Sequence, residues 1–134
     1  MAFRRADRVE ISNKEEGFVG SYYLANIIAW LSNEEYIVQY RTLLKDDDSG
    51  PLREIVSADH IRPLPPEILV TDFSSSDVVD AYDKDGWWVG KISRKIGSDY
   101  LVKFENTNVE YAYPFGLLRI HQEWVDGVWV YSKK

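Results

Sequence analysis

The sequence has no cysteine, so it can form neither a disulfide framework nor a thiolate metal site. It has no apolar run near the roughly 20 residues that a membrane helix requires. Its opening, Met1-Ala2-Phe3-Arg4-Arg5, lacks the apolar core of a secretory signal. Basic residues are in deficit, with 16 Lys and Arg against 22 Asp and Glu, a formal net charge of -6 at pH 7. That balance disfavours nucleic acid, whose phosphate backbone normally meets a basic face. It favours a positively charged partner, because an acidic surface attracts and steers cations. There is no glycine-rich phosphate loop. Only two histidines are present, His60 and His121, and no nucleophile stands in a triad pattern with either. The run Asp46-Asp47-Asp48 lacks the glycine and closing glutamate of a calcium loop, so it reads as a solvated acidic turn. The expectation is a soluble intracellular protein that is not an enzyme and needs no cofactor or metal.

What the chain does have is the same statement made twice. The first runs from Arg8-Val9-Glu10-Ile11 through Gly17-Phe18 and Ser21-Tyr22-Tyr23-Leu24-Ala25 to Tyr36-Ile37-Val38-Gln39-Tyr40 and His60-Ile61-Arg62-Pro63. The second runs from Val78-Val79-Asp80-Ala81 through Gly86-Trp87-Trp88-Val89-Gly90 to Tyr100-Leu101-Val102-Lys103-Phe104 and Leu118-Arg119-Ile120-His121. A repeat this short, present twice, predicts a tandem module. The expected boundaries are a first unit over residues 6–66, a linker over 67–76 and a second unit over 77–134. Pro63-Leu64-Pro65-Pro66 stiffens the exit from the first copy, and Thr71 to Asp77 reads as a polar stretch leading into the second. Units near 60 residues bury only about 60% of their unfolded surface and are marginal alone, so the two copies are expected to share an interface, with Trp87, Trp124 and Trp129 as packing residues.

Alternation makes strands the dominant element. Tyr36, Val38 and Tyr40 share one face, as do Tyr100, Val102 and Phe104. Phasing the preceding strands in the same way turns Tyr23, Ala25, Ile27 and Trp88, Gly90, Ile92 inward, where small residues suit the crowded centre of a small barrel. A slip of one residue would put Tyr22 inside in place of Tyr23, and the sequence leaves that choice open. Asp126-Gly127, between Trp124-Val125 and Val128-Trp129-Val130, signals a two-residue hairpin turn.

In this phasing Tyr23 and Tyr40 meet at one mouth of the first barrel, where Phe18 can fold over them and Asp46, Asp47 and Asp48 stand close in sequence. In the second copy Trp88 and Phe104 occupy the matching places, with Asp83 in the position that completes the mouth. Aromatic faces around a carboxylate suit a cation, through attraction worth about 0.5–2 kcal/mol per ring. The same rings can equally plug a barrel end, since aromatics dominate small cores.

The segments Glu15-Glu16-Gly17-Phe18-Val19-Gly20-Ser21-Tyr22-Tyr23, Tyr40-Arg41-Thr42-Leu43-Leu44, Pro51-Leu52-Arg53-Glu54, Ile61-Arg62-Pro63, Asp85-Gly86-Trp87-Trp88-Val89-Gly90, Leu118-Arg119 and Glu123-Trp124-Val125-Asp126-Gly127 follow one another along nearly the whole chain. In this order they resemble the plant tandem Agenet modules, a branch of the Tudor-like "Royal" family of chromatin readers. The resemblance implies an all-β fold of two Tudor-like five-stranded small β-barrels. It also implies a non-catalytic, nuclear module of a larger protein that binds a methylated-lysine histone tail, notably the heterochromatic dimethyl mark. Phe18, Tyr22, Tyr23 and Tyr40 then form the expected methyl-lysine cage, Asp46, Asp47 and Asp48 the acidic contact for the tail, and Asp83, Trp88 and Phe104 a secondary cage. A scaffold that binds an unmodified partner in the groove between the barrels is the alternative from a different class, and a nucleic-acid-binding Tudor-like module, which the net charge disfavours, is a third.

Overall fold

The computed structural model describes residues 3–13, 20–32, 34–105 and 107–131. It divides into two compact units, Met1–Leu64 and Pro65–Lys134. The first unit holds β1 (Arg8–Asn13), β2 (Ser21–Trp30), β3 (Glu35–Leu44), β4 (Pro51–Ser57) and β5 (Ile61–Pro63), with a single 3-10 turn over Ala58–His60. All pairings are antiparallel, and the strand order is β5-β1-β2-β3-β4. The second unit repeats this with β6 (Val78–Asp83), β7 (Gly86–Ile96), β8 (Asp99–Phe104), β9 (Val109–Pro114) and β10 (Leu118–Ile120), in the order β10-β6-β7-β8-β9. A 3-10 turn over Phe115–Leu117 again precedes the short last strand. No helix among the described residues is long and apolar enough to cross a membrane.

The fold is nearly all β and Tudor-like, but the ladders do not close into barrels. Among the described residues β4 pairs only with β3 and β5 only with β1, and β9 and β10 stand apart in the same way. The closing strands β5 and β10 have three residues each and pair along one edge.

Register sets the inner faces. Ala25 pairs with both Val9 and Tyr40, and Ile27 with Val38, so Val9, Tyr23, Ala25, Ile27, Val38 and Tyr40 are all buried in the first core. In the second, Val79 pairs with Gly90 and Ile92 with Val102, and Val79, Ala81, Ile92, Tyr100 and Val102 form the matching core. Each sheet is bent by an irregularity at the same place, between Ile27 and Ala29 in β2 and between Ile92 and Arg94 in β7. Gly90 stands where the first copy has Ala25. A Cβ there would lie 2.6 Å from Val102 Cγ1, 3.0 Å from the Lys103 carbonyl oxygen and 3.2 Å from Phe104 Cδ1, so the second core has no room for a methyl.

The repeat also starts earlier than the strands. Phe3 and Phe73 each donate their N–H to a tyrosine hydroxyl, Tyr36 at 3.1 Å and Tyr100 at 3.3 Å, and each packs edge-on against that ring. Four residues later Asp7 and Asp77 accept the N–H of Arg4 and Ser74, and in between Ala6 and Ser76 hold φ of 72° and 74°. This aspartate-stapled turn opens each unit. The stretch expected as a linker therefore lies against the second core, with Phe73 buried in it and Ile68 and Val70 packed on it.

Opposite the core each copy also carries a carboxylate–guanidinium–aromatic stack. Arg62 meets Glu10 at 2.7 Å, both side chains buried, and its guanidinium lies 3.5 Å over the Tyr22 ring. Arg119 meets Asp80 at 2.8 Å and lies 4.1 Å over Trp87. Finally, β11 (Glu123–Val125) and β12 (Val128–Val130) form a hairpin whose turn residues Asp126 and Gly127 both have positive φ, the two-residue geometry that matches strand twist.

Candidate functional site

In the first copy the structure brings Tyr23 and Tyr40 together, their rings 6.4 Å apart and nearly perpendicular at 89°. The Tyr40 hydroxyl donates to the Glu54 carboxylate from β4. Both rings are almost wholly covered, at 6% and 5% exposure, so they present little face to a ligand. Tyr22 is on the other side of the strand, under Arg62, which resolves the strand phase and takes Tyr22 away from this mouth. Phe18 lies outside the described residues. The acidic loop is exposed, and the Lys45 and Gly50 backbones close it. Hydrogen bonds from the Ser49 hydroxyl and N–H hold the Asp47 carboxyl below its ordinary range. Asp46 and Asp48 are exposed on the same loop.

The second copy assembles a different corner at the equivalent place. Asp83, at the end of β6, is its centre. Its carbonyl accepts the Trp88 indole N–H at 2.8 Å, and its carboxylate accepts the Tyr113 hydroxyl at 2.7 Å. The Tyr113 ring stands 6.2 Å from Phe104 at 81°, and Tyr111 flanks Phe104 at 6.4 Å. Burial, then the hydrogen bond to Asp83 and its negative charge, push the Tyr113 phenol pKa well above its usual value, so this hydroxyl keeps its proton. Trp88, Phe104 and Asp83 are half-buried and Tyr111 is exposed. Two aromatic side chains, Trp88 and Tyr113, are therefore hydrogen-bonded to Asp83 and Phe104 packs on Tyr113; Tyr113 is buried, while Trp88 and Phe104 still present surface.

Sequence reasoning brought Asp83, Trp88 and Phe104 into one group but missed Tyr113, Tyr111 and Glu54. These come from β4 and β9. By register Val38 faces Glu54 where Val102 faces Tyr111, and Tyr36 faces Val56 where Tyr100 faces Tyr113. The signal available was the alternation of Val109, Tyr111 and Tyr113. Of the tryptophans expected to pack, Trp87 lies against Arg119 and Tyr82, and Trp124 against Trp129 at 5.0 Å across the hairpin; Trp30, in the first unit, is exposed. Among the described residues no group of acidic, histidine or cysteine side chains is arranged to hold a metal.

A model of the Agenet domain family matches residues 6–66. The Arabidopsis thaliana protein named AGENET DOMAIN (AGD)-CONTAINING P1 is 42% identical over 135 residues, which cover 99% of this chain and 26% of that protein. DUF724 domain-containing protein 3 of the same plant is 37% identical over 133 residues, covering 91% of this chain and 19% of that protein. The chain thus spans about a quarter or less of the length of these curated relatives. Among solved structures, Arabidopsis thaliana AGDP1 AGD34 superposes with a TM-score of 0.92 at 33% identity, covering 97% of this chain and 90% of that chain. ADCP1 tandem Agenet domain 3-4 superposes with a TM-score of 0.87 at 30% identity, covering 97% and 88%.

Proposed function

The chain belongs to the Agenet family of non-catalytic protein-interaction modules, and from that premise we propose that it reads a methylated lysine in a basic, histone-type tail. The observation that carries the reading is the corner around Asp83. A methylated ammonium keeps its charge but has few or no N–H groups, so it is better held by ring faces than by a full set of hydrogen bonds. Trp88 and Phe104 supply the open ring faces, and the buried Tyr113 backs Phe104. The Asp83 carboxylate supplies a charge partner and an acceptor for any remaining N–H; its bond from Tyr113, and that of the Asp83 backbone carbonyl from Trp88, fix both side chains before a ligand arrives, which lowers the ordering cost of binding. The net charge of -6 draws a basic tail toward the protein. The partner chemistry makes chromatin the setting and the nucleus the compartment, with this tandem as one part of a longer protein.

The first-copy corner of Tyr23, Tyr40 and Glu54 has the same perpendicular rings and carboxylate, but its rings are covered. In this reading it closes the end of the first core.

Calorimetric titration of the chain with matched unmethylated and methylated lysine peptides tests the proposal. The expected result is a preference for the methylated form that Trp88→Ala reduces by about 1–2 kcal/mol, the worth of one desolvated ring face. Equal affinity for both forms would instead support a scaffold for an unmodified partner.

A further inference from the structure

His121 is a titratable group of the second copy whose place in the first copy holds none. His121 follows β10 two residues after Arg119, and the residue two after Arg62 is Leu64. Its ring lies between two carboxylates on different elements. Nδ1 is 2.7 Å from Asp80 Oδ1 on β6, and Nε2 is 2.8 Å from Glu123 Oε1, the first residue of β11. Its backbone N–H donates to the Val78 carbonyl oxygen at 3.1 Å. Asp80 is almost fully buried, and its other oxygen accepts Arg119 Nε at 2.8 Å. Among the described residues Asp80, Arg119 and Glu123 are charged groups that face this site, from β6, β10 and β11.

Ionised carboxylates only accept hydrogen bonds, and a neutral imidazole has one N–H to give. Both short contacts are satisfied together only by the imidazolium. We propose that His121 is a protonation-dependent latch that ties the start of the Glu123–Val130 hairpin to the second sheet, holding it while the ring is charged and releasing it when the ring is neutral. When the ring loses a proton, the buried Asp80 keeps the remaining N–H, because it cannot turn to water. The exposed Glu123 turns to solvent, and the hairpin loses its charged tie. The adjacent Gln122 side chain, which donates to the Pro66 carbonyl at 2.8 Å, marks the point up to which the chain stays fixed. What is released is a two-stranded element with an exposed face of Val125, Val128 and Val130. Such an isolated hairpin is marginal by itself.

The electrostatics agree in sign. Burial lowers the His121 pKa, but the hydrogen bonds and negative charges of Asp80 and then Glu123 outweigh it, and the net shift is upward. A histidine raised on folding contributes stability that is complete below its unfolded value and is lost as pH rises through the folded one. The hairpin is therefore held at mildly acid pH and loosened on the alkaline side.

The test uses the full chain. NMR titration of the ring protons should place the His121 midpoint above the ordinary histidine value. Hydrogen-exchange protection factors, corrected for the intrinsic pH dependence of exchange, should fall severalfold across the Val125–Val128 pairing as pH rises through that midpoint, while the β6–β10 pairing holds. Glu123→Gln, a change at an exposed position, should lower the His121 midpoint and abolish the pH dependence of hairpin protection. His121→Gln should show low protection at every pH. Three results would each overturn the latch: a midpoint at or below the ordinary value, hairpin protection that ignores the titration, or an unchanged pH response in Glu123→Gln. The Glu123→Gln result stands even if His121→Gln does not fold.

Discussion

The two copies share a frame and differ at its openings. Both have the aspartate-stapled turn, five short antiparallel strands bent at the same residue pair, and an arginine stacked on an aromatic beside a buried carboxylate. At the mouth the first copy places two covered tyrosines with Glu54, while the second places half-open rings around Asp83. On the opposite side the first copy has the buried Glu10–Arg62 pair, and the second sets the His121 ring against Asp80 beside Arg119. One strand frame can thus be tuned toward core or toward binding by a few side chains on its edge strands and connections.

The largest effect expected from disturbing this comparison lies in the arginine stacks. Arg62→Ala removes the charge partner of buried Glu10 and should cost about 3–5 kcal/mol. Arg119→Ala should cost clearly less, because Arg119 is partly exposed and His121 still faces Asp80. Urea denaturation of the two variants at pH 6 compares them directly, and equal losses would mean that His121 gives Asp80 no support. Next comes Gly90→Ala, expected to destabilise by about 1–3 kcal/mol through overpacking, since the added methyl meets Val102 and the Lys103 carbonyl. Thermal unfolding checks it. An unchanged midpoint would show that the second core can give way there.

Tyr113→Phe removes a single hydroxyl that holds Asp83 and should cost about 1 kcal/mol of stability or less, with a larger proportional loss of methyl selectivity because the carboxylate is no longer positioned. Smallest of all is the exposed acidic loop. Replacing Asp46, Asp47 and Asp48 together with asparagine should leave the fold unchanged and flatten the salt dependence of tail binding, since exposed charges are screened over about 8–10 Å at physiological ionic strength. An unchanged salt slope would remove the loop from the account.

The parts of the fold that were legible in the sequence are those where one strand carries its own pattern. Tyr36-Val38-Tyr40 and Tyr100-Val102-Phe104 alternate because both lie mid-sheet with one face on a core, and the same holds for Tyr23-Ala25-Ile27. The edge strands β4 and β9 are exposed along most of their length, so burial imposes no alternation strong enough to mark them. The residues they bring to the mouths, Glu54 and Tyr113, stayed hidden for that reason. Tyr113 joins the corner through a hydrogen bond to a residue 30 positions earlier, a long-range fact that register alone creates. Phe73 was hidden by its neighbours. Set among serines and aspartates it reads as spacer, and only its likeness to Phe3 identifies it as the start of the second copy. Tyr22 and Tyr23 could not be told apart because the two positions are equally aromatic, and the stacking of Arg62 on Tyr22 decides between them.

The claim that the second-copy corner holds the methylated ammonium is tested most directly by titrating Phe104→Ala and Tyr40→Ala with the same methylated and unmethylated peptides, after circular dichroism has confirmed that each is folded. The account predicts that Phe104→Ala loses about 1–2 kcal/mol of methyl preference, while Tyr40→Ala, whatever it costs in stability, keeps the full preference. Loss of discrimination in folded Tyr40→Ala, with discrimination intact in folded Phe104→Ala, would contradict it and return the reading site to the first copy.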